Sequence, residues 1–286
     1  MDQFLDLPYV TLDEGKRDSF REFDLYVPRA GKRDDGQPPP LICFVHGGAW
    51  RSEDKVDYGG LAQKLAAYTG CAVAVPNYRL TPREPTADNY LHHPAHAEDV
   101  LQFLQYLQTW SGPEGSNASP LFDRARLFLV GHSCSAHMLP AIVLNNPSDP
   151  SLEPPVALLH SVKGIILSEG IYDVDTLLKK FPDYRDWFIA NTFGDRESFA
   201  DFAVSTYPHR EGGSHIRYLI IHSSGDTLVN QEQSQLMYDH LLSLGDNGRE
   251  GGKVSRNFGD LTGEHSAILQ GDDYVHIVGD FVLSNI

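Results

Sequence analysis

The chain has 286 residues, 41% hydrophobic and 22% charged, the composition of an ordinary globular protein. Its 39 acidic residues against 23 basic ones give a formal charge of −16, which argues against a nucleic-acid or anionic-membrane partner, since both demand a positive surface. No run of about eighteen apolar residues occurs, so no membrane span is expected.

Met1 to Val10 carries neither a basic nor an apolar leader region, and the three cysteines (Cys43, Cys71, Cys134) are odd in number, the first two inside apolar runs. They read as buried thiols in a reducing compartment, and a cytoplasmic location is expected. One domain spanning 1–286 accommodates this length.

Along the chain, a weak strand pattern lies near 8–12 and a stronger one at 22–27 (EFDLYV). Residues 29–40 (RAGKRDDGQPPP) read as a surface loop before the apolar run LICFV at 41–45. Further strands are expected at 72–77 (AVAVPN), 126–130 (RLFLV), 164–168 (GIILS) and 217–222 (RYLIIH), with a last weak one near 253–258. The middle runs are apolar throughout, as parallel strands covered on both faces must be. Between them, Val100, Phe103, Leu104 and Leu107 recur at helical spacing, as do Met237, Leu241 and Leu244. A second surface loop is expected at 112–120 (GPEGSNASP). The segment 171–213 has helical pieces but no strand, and is expected to form a helical cap or lid over the C-terminal edge of the sheet. Strands alternating with helices predict an α/β architecture: a mostly parallel, eight-stranded sheet with helices on both faces.

The strongest chemical signal is RLFLV-GHSCSA-HMLPAIVL at 126–144. A buried strand ends at Gly131, turns at Ser133 and continues as a helix carrying Met138, Ile142 and Val143. In this strand–turn–helix context a G-x-S-x-G pattern presents a nucleophilic serine at the top of an α/β-hydrolase sheet. Small residues flank the serine because strand and helix pass close together, although Ser135 stands where the last glycine is usual. A second strand, 41–45, runs into HGGAW at 46–50. By itself that could be a plain loop turn; upstream of a nucleophile elbow it predicts an oxyanion hole from the amides of Gly47 and Gly48, joined by that of Cys134.

A serine hydroxyl needs a neutral imidazole to take its proton. In this fold the partners follow in the order Ser, Asp or Glu, His. Asp226 stands after the strand at 217–222, and His265 in a loop before an apolar helix. These two are the expected acid and base, although Asp226 could instead cap its turn. His46 and His132 are expected to position backbone. His92, His93 and His96 have no cysteine or carboxylate at ligand spacing, and surface or capping roles are expected rather than a metal site.

HGGAW at 46–50, NYRLTP at 77–82, GHSCSAH at 131–137 and the late Asp226 and His265 together resemble the kynurenine formamidases. The stretch SEGIYDVDTLLKKFPDY at 168–184 is similar to the fungal members. The resemblance spans roughly 40–280 and implies hydrolysis of N-formyl-L-kynurenine to L-kynurenine and formate, a step of tryptophan breakdown that feeds NAD synthesis, without metal or organic cofactor. It also implies a homodimer, a common state in the family. Trp50, beside the glycines, would wall the pocket for the formyl group or the aryl ring. Arg79 could meet the substrate's carboxylate, but a structural ion pair is the expected role. A broad carboxylesterase, amidase or biosynthetic hydrolase of small acyl groups uses the same machinery, and a non-catalytic binding protein could keep the fold.

Overall fold

In the computed structural model, residues 1–11, 13, 16–29, 36–113, 120–245 and 252–286 are described. The interiors of the two expected surface loops, 30–35 and 114–119, lie outside the described residues. Eight strands form one sheet: β1 (Asp2–Pro8), β2 (Glu22–Val27), β3 (Leu41–Val45), β4 (Ala72–Pro76), β5 (Leu127–His132), β6 (Val162–Ser168), β7 (Arg217–Ile221) and β8 (Val254–Asn257), in the order β1-β2-β4-β3-β5-β6-β7-β8. β1 and β2 pair antiparallel, as do β2 and β4. Every other neighbouring pair is parallel.

The helices are α1 (Gly59–Thr69), α2 (Ala95–Thr109), α3 (Ser135–Val143), α4 (Val156–Ser161), α5 (Val174–Lys180), α6 (Ala190–Phe193), α7 (Gln231–Ser243) and α8 (Asp272–Leu283). Successive strand side chains point to opposite faces, and the two faces meet different helices. Ile42, Phe44, Phe128 and Val130 pack with Leu61 and Leu65 of α1 and Val275 and Val278 of α8. Leu41, Cys43, Leu127 and Leu129 pack with α2, α3 and α7 through residues such as Phe103, Met138 and Met237. A strand buried on both sides must be apolar at every position, which is why these runs show no alternation.

The first strand departs from the sequence expectation, lying at 2–8 rather than 8–12. It is an edge strand with mostly exposed side chains, and an irregularity between Phe4 and Leu7, with Asp6 at φ +57°, breaks the alternation that would have announced it. Among the described residues no helix is long and apolar enough to cross a membrane.

Strand order places the site. The chain leaves β3 for β4 on one side and returns as β5 on the other, so the loops after β3 and β5 diverge from a common crevice. In open α/β sheets ligands bind at such a switch point. Val45 and Gly131 are in register there, so the turn holding Gly48 lies beside the turn holding Ser133.

Candidate active site

Ser133 sits between β5 and α3 with φ +57°, a left-handed conformation that a non-glycine residue adopts only when its surroundings impose it. Its amide donates to the Ser168 carbonyl of β6 at 2.9 Å. Close approach imposes the rest: a Cβ on Gly131 would lie 2.9 Å from the Ser135 carbonyl carbon and the Ala136 nitrogen. Ser135 fits in place of glycine because its hydroxyl is fully satisfied. Its Oγ accepts from the His132 amide (2.8 Å) and lies 2.6 Å from the Val45 carbonyl and 2.9 Å from that of His132. It therefore ties the elbow to β3.

The loop after β3 is equally constrained. Gly48 has φ +90°, and a Cβ there would meet the Ser52 carbonyl oxygen at 2.2 Å. Ala49 and Trp50 follow at φ +51° and +59°. The NYRLTP segment clamps this loop: the Tyr78 hydroxyl donates to the Gly47 carbonyl at 2.7 Å, and the Thr81 amide donates to the Trp50 carbonyl at 2.8 Å. Tyr78 also stacks on His46 at 4.4 Å, and burial pushes the His46 imidazole down to about 4, so it stays neutral. Arg79 forms a two-pronged pair with Asp99 at 2.7 and 2.8 Å, the structural role expected of it.

Two expectations for this loop need correction. Trp50 is fully buried and packs against His137, Phe188 and Phe193 instead of bordering the cavity. Its backbone is what matters here, donating to Cys134 Sγ at 3.3 Å across the two loops. Gly47 does not border the cavity, and the Glu53 carboxylate near it accepts from the Tyr58 hydroxyl. Of the five HGGAW residues, Gly48 and Ala49 border the cavity. Cys134, at the start of α3, is buried, and burial raises its thiol to about 12. It is a filler there, while its amide lies just past Ser133.

The expected acid and base come together from the far half of the sheet. Asp226, after β7, accepts from the Leu228 and Val229 amides on Oδ1 at 2.8 and 3.0 Å. Its Oδ2 lies 2.8 Å from His265 Nδ1. An Nδ1 that donates to a carboxylate leaves Nε2 as the basic nitrogen. Ser133, His132 and His265 all line one cavity of about 260 Å³. Tyr184, Trp187 and Phe188 of the 171–213 segment supply an aromatic wall, with Ile171 and Leu228 beside it.

Sequence reasoning missed Glu169. It directly follows β6 at φ +51°, and its carboxylate is entirely buried, 3.3 Å from His265 Nδ1 and 3.9 Å from His132 Nε2. Burial, aided by the charge of Asp226, raises its carboxyl to about 9, so it holds its proton at neutral pH. The available signal was position: an acid at the C-terminal end of a central parallel strand faces the ligand crevice. His132, Glu169 and His265 are also the one trio among the described residues whose ligating atoms gather within 4.8 Å. A cation there would have to strip the proton from Glu169 and compete with Asp226 for His265, which disfavours a metal reading.

The trio His92, His93, His96 divides. His92 is exposed, as expected, but His93 and His96 are buried, which corrects the expected surface or capping role. His96 pairs with the Thr81 hydroxyl at 2.9 Å, and His93 packs among His137, Phe193 and Phe202. Neither position betrays burial in the sequence, because the partners come from other segments: Phe193 and Phe202 for His93, Tyr78 and Thr81 for His96.

The BD-FAE family model matches residues 23–241. The chain belongs to the BD-FAE family of α/β hydrolases. Within that frame it is similar to the kynurenine formamidase of Meyerozyma guilliermondii, with 29% identity over 223 residues covering 76% of this chain and 77% of the relative. It is also similar to the kynurenine formamidase-like hydrolase fscH of Fusarium equiseti, with 25% identity covering 83% and 81%. Among solved structures, a truncated carbohydrate esterase from gut microbiota superposes with a TM-score of 0.73 at 17% identity, over 100% of this chain and 96% of the other. Esterase B of Lactobacillus rhamnosis superposes at 0.67 and 18% or less identity. This BD-FAE member is thus a hydrolase, and the expected fold and the likeness to fungal kynurenine formamidases stand.

Proposed function

We propose that the chain hydrolyses N-formyl-L-kynurenine to L-kynurenine and formate, with Ser133, His265 and Asp226 as the catalytic triad. The observation that carries this reading is the strained Ser133 sharing one cavity with an imidazole bonded at 2.8 Å to a carboxylate. Ser133 Oγ attacks the formyl carbon while His265 Nε2 takes its proton. The amides of Gly48 and Cys134 receive the oxyanion, each such donor being worth roughly 3 kcal/mol in the transition state. His265 returns the proton to the departing arylamine as the C–N bond breaks, and water then hydrolyses the formyl-enzyme.

An aryl formamide suits this site. Its nitrogen lone pair is shared with the ring, which weakens the amide. Its acyl group carries only hydrogen, and the ring can lie against Tyr184, Trp187 and Phe188, so the 171–213 segment acts as a cap. The names of the similar kynurenine formamidases support the substrate. Three free, buried cysteines support a reducing, cytoplasmic setting.

The test is a substrate comparison without added metal or cofactor. The formyl amide should exceed its acetyl analogue by well over tenfold in kcat/KM, because an extra methyl must distort packing or displace the carbonyl from its donors. An untouched formyl amide beside rapidly cleaved aryl esters would replace this reading with an esterase. No turnover and no organophosphate labelling of Ser133 would favour a binding protein.

A further inference from the structure

We propose that Arg83, together with Arg51, forms an anion subsite at the mouth of the cavity that holds the carboxylate of the substrate's amino-acid end. This deepens the formamidase reading and rests on it for the identity of the substrate.

The first observation is an unspent charge. Acidic residues outnumber basic ones 39 to 23 in this chain, and seven of its thirteen described arginines have carboxylate partners, among them Arg79 with Asp99, Arg126 with Asp123 and Arg17 with Glu22. Among the described residues Arg83 makes no ion pair, although it lines the cavity that holds Ser133 and His265. The second is its neighbour. Arg51 lines the same cavity, also without an ion pair among the described residues, and its charge is disfavoured first by burial and then by the nearby charge of Arg83. Two like charges at one opening are costly until an anion lies between them.

The third observation is geometric fixity. The Arg51 amide donates to the Gly48 carbonyl at 3.0 Å, so this arginine belongs to the same turn that borders Ser133. Its Nη1 donates to the Trp187 carbonyl, joining the turn to the aromatic wall. Ring wall, nucleophile and cation are therefore held at set distances. The cavity, about 260 Å³, suits one ring and a short chain. The acid facing this space is Glu53, and it accepts from the Tyr58 hydroxyl. Arg83, and the part of the Arg51 guanidinium not used on the Trp187 carbonyl, remain to take a carboxylate, and guanidinium forks bind carboxylates with two parallel hydrogen bonds.

The experiment reads a preference within each protein, so that partial misfolding cancels. Wild type and the Arg83→Gln and Arg83→Glu variants are given N-formyl-L-kynurenine and its carboxyl methyl ester. Wild type should favour the free acid in kcat/KM by about tenfold or more, mainly through KM, as a charge-assisted pair provides. Arg83→Gln should bring the ratio close to one, and Arg83→Glu should invert it. Rising ionic strength should shrink the wild-type ratio, since Arg83 is exposed. A ratio unchanged in both variants overturns the subsite. If neither formamide is cleaved, the formamidase reading fails separately. The arginine comparison then runs on two aryl acetates, one bearing a side-chain carboxylate and one its methyl ester, with the same outcomes deciding it.

Discussion

Two clusters of histidine lie in this molecule, and their difference shows what turns an imidazole into a reagent. In one, the His265 and His132 rings lie 4.5 Å apart, tilted by 40°, beside two carboxyls, with Asp226 bonded to His265 and Glu169 close to both rings. In the other, His93 and His137 sit edge-to-face at 5.5 Å among Trp50, Phe193 and Phe202. His137 has only the Ile171 carbonyl for a partner, and burial pushes its pKa down to about 3. The second cluster is filling: His93 Nε2 lies 3.5 Å from an Asp149 carboxylate oxygen, but neither His93 nor His137 borders the cavity. His265 has the bonded carboxylate and the cavity wall together, which is what its proposed role as base requires.

The sharpest way to break the comparison is at the serine the first cluster serves. Ser133→Ala removes a single oxygen, so the protein should fold while turnover falls by about 10⁴ or more. Near-full activity in a folded variant, read by steady-state kinetics and circular dichroism, would remove Ser133 from the chemistry. Asp226→Asn keeps the shape but changes what His265 Nδ1 can donate to, and a loss of about 10⁴ in kcat is expected, as in other triads. A loss under tenfold would mean that Glu169 can orient the base unaided.

The imidazoles that burial holds neutral, in both clusters and outside them, are tested by acid. His46, His96, His132 and His137 all have imidazoles held below the ordinary value by burial. The unfolded chain therefore binds protons that the folded chain refuses. Their contribution is present above about pH 6.5 and is lost as pH falls from there towards 4. The melting temperature should drop steeply over that interval, by several kcal/mol of stability in total. A flat profile would mean that these rings are not held neutral.

Glu169 predicts the opposite slope. Its folded pKa is raised, so its contribution is complete below about pH 4.3 and is lost progressively up to its folded value near 9. Glu169→Gln mimics the protonated acid and should be more stable than wild type by on the order of 2 kcal/mol at neutral pH, with the advantage growing towards pH 9. A gap between Glu169→Gln and wild type in denaturation midpoint that is the same at pH 5 and pH 8.5 would show that the carboxyl is not protonated. The smallest effect is expected at Ser135→Ala. Leaving the His132 amide without its partner should cost about 1–3 kcal/mol, while kcat stays within about tenfold, because Ser135 touches the elbow and not the cavity.

The glycines and small residues around Ser133, and the loops carrying Asp226 and His265, were legible because a strand, a sharp turn and a helix leave a local signature. Strand β1 was not, since an exposed, irregular edge strand has no buried face to write a pattern. Glu169 was hidden for a different reason. An acid in a short SEG stretch looks like surface until β6 is known to be central, and its proton depends on Asp226, which is 57 positions away in the chain.

Local chemistry by itself determined the central sheet, the elbow at Ser133, the order of the proposed triad and the structural role of Arg79, because periodicity and turn geometry are properties of short segments. Tertiary structure alone decided that Trp50 is filling, that Gly48 rather than Gly47 borders the cavity, that His93 and His96 are buried, and that Arg51 and Arg83 face one opening. Burial and charge are set by neighbours distant in the chain, and no window of sequence contains them.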